Sequence, residues 1–577
     1  MVGWLALLFM FLWPYLRGLT HEFVYDDHGQ IVAESFLESQ GRWSAVLRLQ
    51  TLSDPALVNG RRPLVLVSYM IDKQIWGDQP AGWRTTNYLW LLAAMSLLYT
   101  FLLRVSATLE KNQTMPLFAW GATWLFVWHP ALIESVQVPA FRPDLMVLVW
   151  ALMALHASFS MAVRETAWQR WTWAGVGLLA VAAAILSKES GVMVPFLVAS
   201  FWWLFPKGRP RWLPAMGWCA GAIAFVIAYG LLAATEASEG GATSSWQAMG
   251  AEWNGRSLLF PENLFTLPWL WTLYLRVLIV PAPLIVDRVV VPISSMLDGR
   301  FAAGLLLGLL TVGGFIWAWM RRQPWICWGL AWMILGFAPV SNLIPLLNPM
   351  AERYMPPMVV GFAIGIALML VGGTLKNKRE AWLRIGGLAV IAAMYLVIGI
   401  NRVGQFQDDA TLWSATLRAE PRSARAHTWV GIIRQQEGQL AEAQLLFERA
   451  RELNPRDLTP IINLAILKGS AGRLDEAERL LREAVSIRPS FAPAHWNLAQ
   501  ALMFAGRMAE AMPSLEETLR LDPYHVAARR TRAQWRMMTG DFNAALEDVS
   551  RWLEMVPDDE DAREFLGIIQ SHINVQQ

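Results

Sequence analysis

Five prolines recur every 34 residues near the C-terminus: Pro421, Pro455, Pro489, Pro523 and Pro557. Gly438, Gly472, Gly506 and Gly540 keep the same interval, and so do Ala443, Ala477, Ala511 and Ala545. Three residue classes sharing one period make residues 422–557 four copies of one structural unit. Each copy has a small residue in its first half (Gly431, Ala465, Ala499, Ala533) and a larger apolar one in its second (Phe447, Leu481, Leu515, Val549). This pattern fits two helices that approach closely over the small residue. Gly makes the turn between them and Pro closes the unit.

Thirty-four residues is the tetratricopeptide period. The array is therefore expected as an α-solenoid of four repeats over 422–557. A linker and half-repeat precede it at 405–421, and a polar capping helix follows at 558–577. Such arrays bind extended peptides in their concave face or serve as assembly scaffolds, and the sequence does not separate the two.

The chain before this array is of another kind. Of 577 residues, 55% are hydrophobic, only 16% are charged and 32 are Trp, and the charge is concentrated after about Arg402. Apolar stretches fall near 2–19, 85–103, 115–131, 143–163, 172–186, 190–205, 213–233, 301–319, 325–340, 355–374 and 383–400. They predict a polytopic helix bundle over 1–404 with about eleven spans. The N-terminus lacks a basic leader and a small-residue cleavage site, so the first stretch reads as a retained helix. The segment 267–286 carries Arg276, Pro281 and Pro283 and is taken as non-spanning. On that assignment the short loops of one side hold thirteen basic residues, from Arg104 to Arg384, and those of the other hold only Arg142, Lys188 and Arg353. The positive-inside rule places the first set in the cytoplasm. The long loop 20–84 is basic on the opposite side, but long loops weigh little in that rule. Cys219 and Cys327 lie within apolar stretches and read as packing residues. A net charge of +2 points to no polyanion, and no nucleic-acid partner is expected.

The same topology gathers the unusual polar residues on the outer rim. Asp26 and Asp27 follow the first helix, and Arg61, Arg62, His129, Glu134, Arg142, Asp144, Lys188, Glu189, Asp287, Arg288, Glu352 and Arg353 join them. Each alone is equally explained as a snorkelling side chain or an ion pair. Their convergence on one rim favours a site. Adjacent carboxylates at a membrane boundary suit a base with a helper acid.

The stretches FVYDDHGQI (23–31), RRPLVLVSY (61–69), HPALIESVQVPAFRPDLM (129–146), SKESGVMVP (187–195), YLRVLIVPAPLIVD (274–287) and AERYMPP (351–357) come in a fixed order ahead of the array. In this the chain resembles the transmembrane and tetratricopeptide-repeat O-mannosyltransferases, of the C-type glycosyltransferase superfold, and in particular a bacterial relative of them. Two departures stand out. The family's Tyr-Arg-Pro-Leu is Arg61-Arg62-Pro63-Leu64 here, and its His-rich stretch is replaced by Trp83-Arg84-Thr85-Thr86-Asn87.

The resemblance implies transfer of a sugar, mannose in the family, from a polyprenyl-phosphate donor to a hydroxyl acceptor, with inversion, at the outer face of a bacterial inner membrane. The repeats would lie in the periplasm. Asp26 and Asp27 would supply the base and its helper. Arg62, Arg142, Lys188 and Arg353 would meet the leaving phosphate. His129, Glu134, Asp144, Glu189 and Asp287 would orient these groups or read sugar hydroxyls. Family members differ on metal use, so no metal ligand and no cofactor is assigned, and a divalent cation is left open. The expected partners are the lipid-linked sugar, the bilayer, and a protein acceptor or other protein at the concave face. Two alternatives to a Ser/Thr acceptor stand beside this reading: a surface glycan or lipid acceptor, and a membrane-anchored scaffold without activity.

Overall fold

The structure is a computed structural model and describes residues 13–32, 34–37, 42–48, 50–52, 57, 59–109, 115–205, 262–344, 346, 348–372, 378–556 and 559–576. Every regular element among them is a helix. They divide into two compact units, Met1–Pro421 and Arg422–Gln577.

In the first unit, nine of the expected apolar stretches form helices: Pro80–Leu109, Met115–Trp128, Arg142–Val163, Ala167–Ser187, Val194–Leu204, Gly299–Met320, Pro324–Phe337, Pro356–Val371 and Lys378–Gly404. The stretch 213–233, with Cys219, lies outside the described residues, as does 2–19 up to residue 12. Five helices are long and apolar enough to cross a bilayer: Pro80–Thr108, Pro139–Val163, Ala167–Ser187, Gly299–Met320 and Arg379–Gly404. The others are shorter, and two are lengthened by tighter turns at Glu189–Met193 and Ala338–Val340. Pro63, Pro143, Pro195, Pro324 and Pro356 each stand in the first turn of a helix. There the missing N–H costs nothing and the fixed φ suits the helix.

Helices without polar faces associate through small residues. Pro324–Phe337 and Pro356–Val371 meet at Gly329 and Gly361, where a Cβ on either would strike the other's carbonyl oxygen. Gly299–Met320 turns Leu305, Leu309, Val312 and Ile316 outward with no protein cover. Such a face suits lipid, since the helix satisfies its own backbone.

Helix Glu262–Ile279 covers much of the ambiguous segment. At its start, Asn263 Nδ2 donates to the Leu343 carbonyl at 3.1 Å. At its end, the Leu278 carbonyl lies 3.0 Å from His129 Nε2. Residues 343 and 129 belong to loops that meet each other through Glu134 and the Arg353 amide, 2.9 Å apart. Both ends of this helix are thus tied to loops of the first unit.

The second unit has the expected helix pairs, from Ala424–Gln436 with Leu440–Leu453 to Val526–Met538 with Phe542–Met555. Gly438, Gly472, Gly506 and Gly540 carry φ of +78°, +76°, +73° and +81°. The period in the sequence is thus the period of a left-handed turn. A Cβ on Gly431 would strike the Phe447 ring, which explains why the small residue and the aromatic occur together. Helix Glu560–Gln576 closes the end, burying Ala562 and Ile569 against Val549 and Trp552. Pro557 lies outside the described residues.

Two glycines three residues apart should respond oppositely to alanine. Gly472→Ala forces a side chain into the left-handed region and should cost about 1–2 kcal/mol. Gly469→Ala adds a Cβ in ordinary contact with Ala477, 3.8 Å away, inside a helix. It should stabilise by up to about 0.5–1 kcal/mol. Denaturant unfolding of the repeats, followed by circular dichroism, would read both signs.

Candidate active site

The segment bearing the paired carboxylates has no regular structure of its own and is fixed from outside. Arg84, fully buried, donates to the carbonyls of His21 and Glu22, and to that of Gln137 at 2.9 Å. Tyr25, immediately before the pair, takes a left-handed φ of +58°. Asp27 turns inward, where its two oxygens accept from the Ala140 amide at 2.8 Å and the Val24 amide at 3.3 Å. Burial pushes its acid up to about 7, against the opposing pull of Arg84 and the two amides. Asp26 stays half-buried beside it. The two acids are therefore not equivalent. Asp27 anchors the turn, and Asp26 faces the rim.

A chain of contacts runs from Asp26 around the rim. Gln30 Nε2 lies 3.5 Å from an Asp26 carboxylate oxygen, and Gln30 Oε1 accepts from Asn59 at 3.0 Å. Asn59 faces Arg62 at 3.5 Å, and Arg62 grips Glu189 through two bonds of 3.1 and 2.9 Å. The next side chain along, Lys188, bonds both oxygens of Asp144 at 2.6 and 2.8 Å. Its ammonium sits 4.9 Å from the centre of the Tyr354 ring. Arg353 lies over the same ring at 5.1 Å and over Phe141 at 4.1 Å, and it pairs with Glu134 at 2.8 Å. The Asp26 charge also acts on Arg353, across the remaining gap in the circle. Asp26, Arg62, Glu134, Asp144, Lys188, Glu189 and Arg353 are thus brought together from five separate stretches of sequence.

The pairs in this circle differ in how readily they open. Arg353 and Glu134 are 7% and 0% exposed, whereas Arg62 and Glu189 are 29% and 54% exposed. Separating a buried pair leaves a stranded charge at about 3–5 kcal/mol. An exposed pair contributes only about 0–1 kcal/mol. Arg62 is therefore the cation most easily handed to an incoming anion.

Two expected site residues do not join the circle. The Arg142 guanidinium is fully enclosed, donating to Asn87 and Ser68 at 2.7 Å each, to the Trp83 carbonyl at 3.1 Å, and to Asp72. With its donors committed inward, it cannot meet a phosphate at the rim. His129 is also committed. Its Nδ1 accepts from the Ala131 amide at 3.2 Å, and its Nε2 bonds the Leu278 carbonyl. It caps a turn. Asp287 is buried in the extended segment beside Arg288, whose guanidinium lies 3.9 Å from Glu352. Among the described residues no three His, Cys, Asp or Glu side chains gather as metal ligands.

Sequence reasoning missed Asp72, Asn87, Tyr354 and the anchoring role of Arg84. Arg84 and Asn87 lie in the stretch where the chain departs from the family, and that departure was the available signal. Asp72 lies in helix Pro63–Trp76 and bonds Thr86 at 2.7 Å as well as Arg142, and nothing in its spacing marks it.

Comparison with known proteins agrees with this architecture. A tetratricopeptide-repeat family profile matches residues 434–502 and 470–513. The protein O-mannosyl-transferase F38B6.6 of Caenorhabditis elegans is 24% identical over 462 residues, covering 78% of this chain and 62% of that one. The protein O-mannosyl-transferase Tmtc3 of Drosophila melanogaster is 30% identical over 129 residues, covering 21% of this chain and 13% of that one. The chain thus spans about three-fifths of the first relative and a small part of the second. Among solved structures, ArnT from Cupriavidus metallidurans bound to undecaprenyl phosphate matches with 14% identity, 85% of this chain, 81% of that one and a TM-score of 0.40. The first match covers more residues than either compact unit contains and so draws on both. The similarity is thus to proteins named O-mannosyl-transferases, over a length that takes in both the apolar helices and the repeats.

Proposed function

We propose that the chain is a membrane glycosyltransferase that moves a hexose, mannose by the names of its relatives, from a polyprenyl-phosphate donor to the hydroxyl of a protein Ser or Thr. The observation that carries this reading is the circle of contacts, in which a half-buried carboxylate shares one rim with Arg62, Lys188 and Arg353. The rim would face the extracytoplasmic side, with the repeats on the same side and the basic loops in the cytoplasm. The functional division would be a catalytic domain over 1–404, a junction over 405–421, repeats over 422–557 and a cap over 558–577.

Asp26 takes the proton of the acceptor hydroxyl as that oxygen bonds to the anomeric carbon. The bond from that carbon to the phosphate oxygen breaks on the opposite face, and its electron pair leaves with the polyprenyl phosphate. The configuration at carbon inverts. The phosphate gains negative charge in this step. Arg62, released from Glu189, meets it with a guanidinium fork, and Lys188 and Arg353 act from their fixed pairs. Asp27 holds the turn, and Glu134 and Asp144 hold Arg353 and Lys188 in place. The concave face of the repeats captures the acceptor polypeptide and raises its local concentration.

Asp26→Asn should lower turnover by roughly two to four orders of magnitude and leave donor binding intact, as measured with a synthetic polyprenyl-phosphate sugar. Wild-type turnover would remove Asp26 from the role of base.

The two arginines should separate cleanly. Arg62→Ala should lower kcat/KM for the donor by about 10²-fold, with a change in stability no larger than about 1 kcal/mol. Arg142→Ala strands the buried Asp72 and should cost about 3–5 kcal/mol of stability, read as a lower Tm and a lower yield of folded protein.

Deleting 422–577 should raise the apparent KM for a protein acceptor and leave that for a short peptide nearly unchanged. Equal loss with both would mean that the repeats maintain the first unit. No loss with either would leave them a scaffold for other proteins.

A further inference from the structure

The turn that carries Asp26 is strained, and what holds it comes from far along the chain. A tyrosine at φ +58° persists only where its surroundings over-determine it. Helix Asp409–Ala419, the half-repeat that follows the last apolar helix within the first unit, supplies those surroundings. The Tyr25 amide donates to Asp409 Oδ1 at 2.9 Å, and His28 Nε2 meets Asp409 Oδ2 at 2.7 Å. One carboxylate therefore bridges the first and last residues of the turn whose interior is Asp26–Asp27. The Tyr25 ring is held edge-on between Trp413, at 5.2 Å between centroids, and Phe141, at 5.5 Å. The segment entering the turn is tied to the same region, since the Glu22 amide donates to the Gln407 carbonyl at 2.9 Å.

Asp409 is not needed to start its own helix. That task belongs to Asp408, which caps the helix by accepting from the Thr411 amide at 2.7 Å. The Asp409 side chain, one residue on, bonds instead to a turn 380 residues away in sequence, through both of its oxygens. The hydrogen bond that Asp409 accepts is also the largest influence raising the proton affinity of the His28 imidazole.

We propose that Asp409 is a positioning residue for sugar transfer: by bridging the Tyr25 amide and the His28 imidazole it sets the angle at which the Asp26 carboxylate meets the acceptor. This rests on the reading of Asp26 as the base. The junction between the apolar helices and the repeats is then part of the reaction apparatus and not a spacer. A base turned away by about an ångström loses rate without losing substrate, because donor binding depends on other side chains.

The test uses the full-length protein in detergent or nanodiscs, with Asp409→Ala, Asp409→Asn and His28→Ala. Asn keeps an acceptor for the Tyr25 amide and offers a donor to a neutral His28. Asp409→Ala should lower kcat by roughly 10²-fold, with KM for the lipid-linked sugar unchanged and an unchanged Tm. Asp409→Asn should restore most of the lost rate, and His28→Ala should give a smaller loss than Asp409→Ala. Amide hydrogen exchange over residues 22–30 should accelerate in Asp409→Ala and return towards wild type in Asp409→Asn. Unchanged exchange in Asp409→Ala would overturn the bridge whatever the turnover. Faster exchange with full kcat would overturn the link between bridge and chemistry. A parallel fall in kcat, donor affinity and Tm in both Asp409 variants would make Asp409 a folding residue and overturn the proposal. If the wild type transfers no sugar, the proposed function fails, and the exchange arm still decides whether the bridge exists.

Discussion

A guanidinium sealed inside protein must be met by oxygen, and this requirement shapes one rim of the first unit. Arg84, Arg142, Arg353 and Arg402 are almost wholly buried. Leaving any one unmatched would cost several kcal/mol, so each gathers carbonyls or carboxylates from wherever the chain can bring them. Arg84 collects the carbonyls of 21, 22 and 137, and Arg142 collects Asp72, Asn87, Ser68 and the carbonyl of 83. Arg353 takes Glu134, and Arg402 takes Glu352 together with the Leu284 carbonyl at 3.1 Å. Each cation ties loops that are distant in sequence. Irregular backbone thereby gains a rigidity that packing alone would not give it.

The same requirement sorts the rim cations into two kinds. Those sealed within their pairs set geometry, and the one at the open edge is available for exchange. The gradient from Arg142 through Arg353 and Lys188 to Arg62 follows exposure, not residue type. Sequence lists these four as equals. Only their surroundings set how open or how sealed each one is.

What could be read beforehand follows from how far each signal reaches along the chain. The repeat was legible because its determinants are local: a left-handed turn needs Gly at 438, 472, 506 and 540 wherever the unit occurs. The apolar helices were legible because lipid leaves few alternatives to a helix. Membership of the rim was legible for Asp26, Arg62 and Arg353, since loops on one side of a bundle must converge. Roles within the rim were not. Arg142 and Lys188 differ in which partner lies within 3 Å, and those partners, Asp72 and Asp144, are fixed by helix packing that no spacing rule encodes. Asp409 carries no local signal in the sequence. Its true partner lies 384 residues away at Tyr25.

The placement of Asp409 ahead of the first complete repeat has an evolutionary consequence. Repeats defined by a 34-residue period are gained and lost as whole units, by slippage and unequal recombination. Had the contact to the Tyr25 turn come from within a repeat, each such event would have threatened it. Because it comes from the half-unit before the array begins, lineages can lengthen, shorten or diversify the solenoid, and with it the proteins it recognises, under a selection pressure separate from the one acting on the turn.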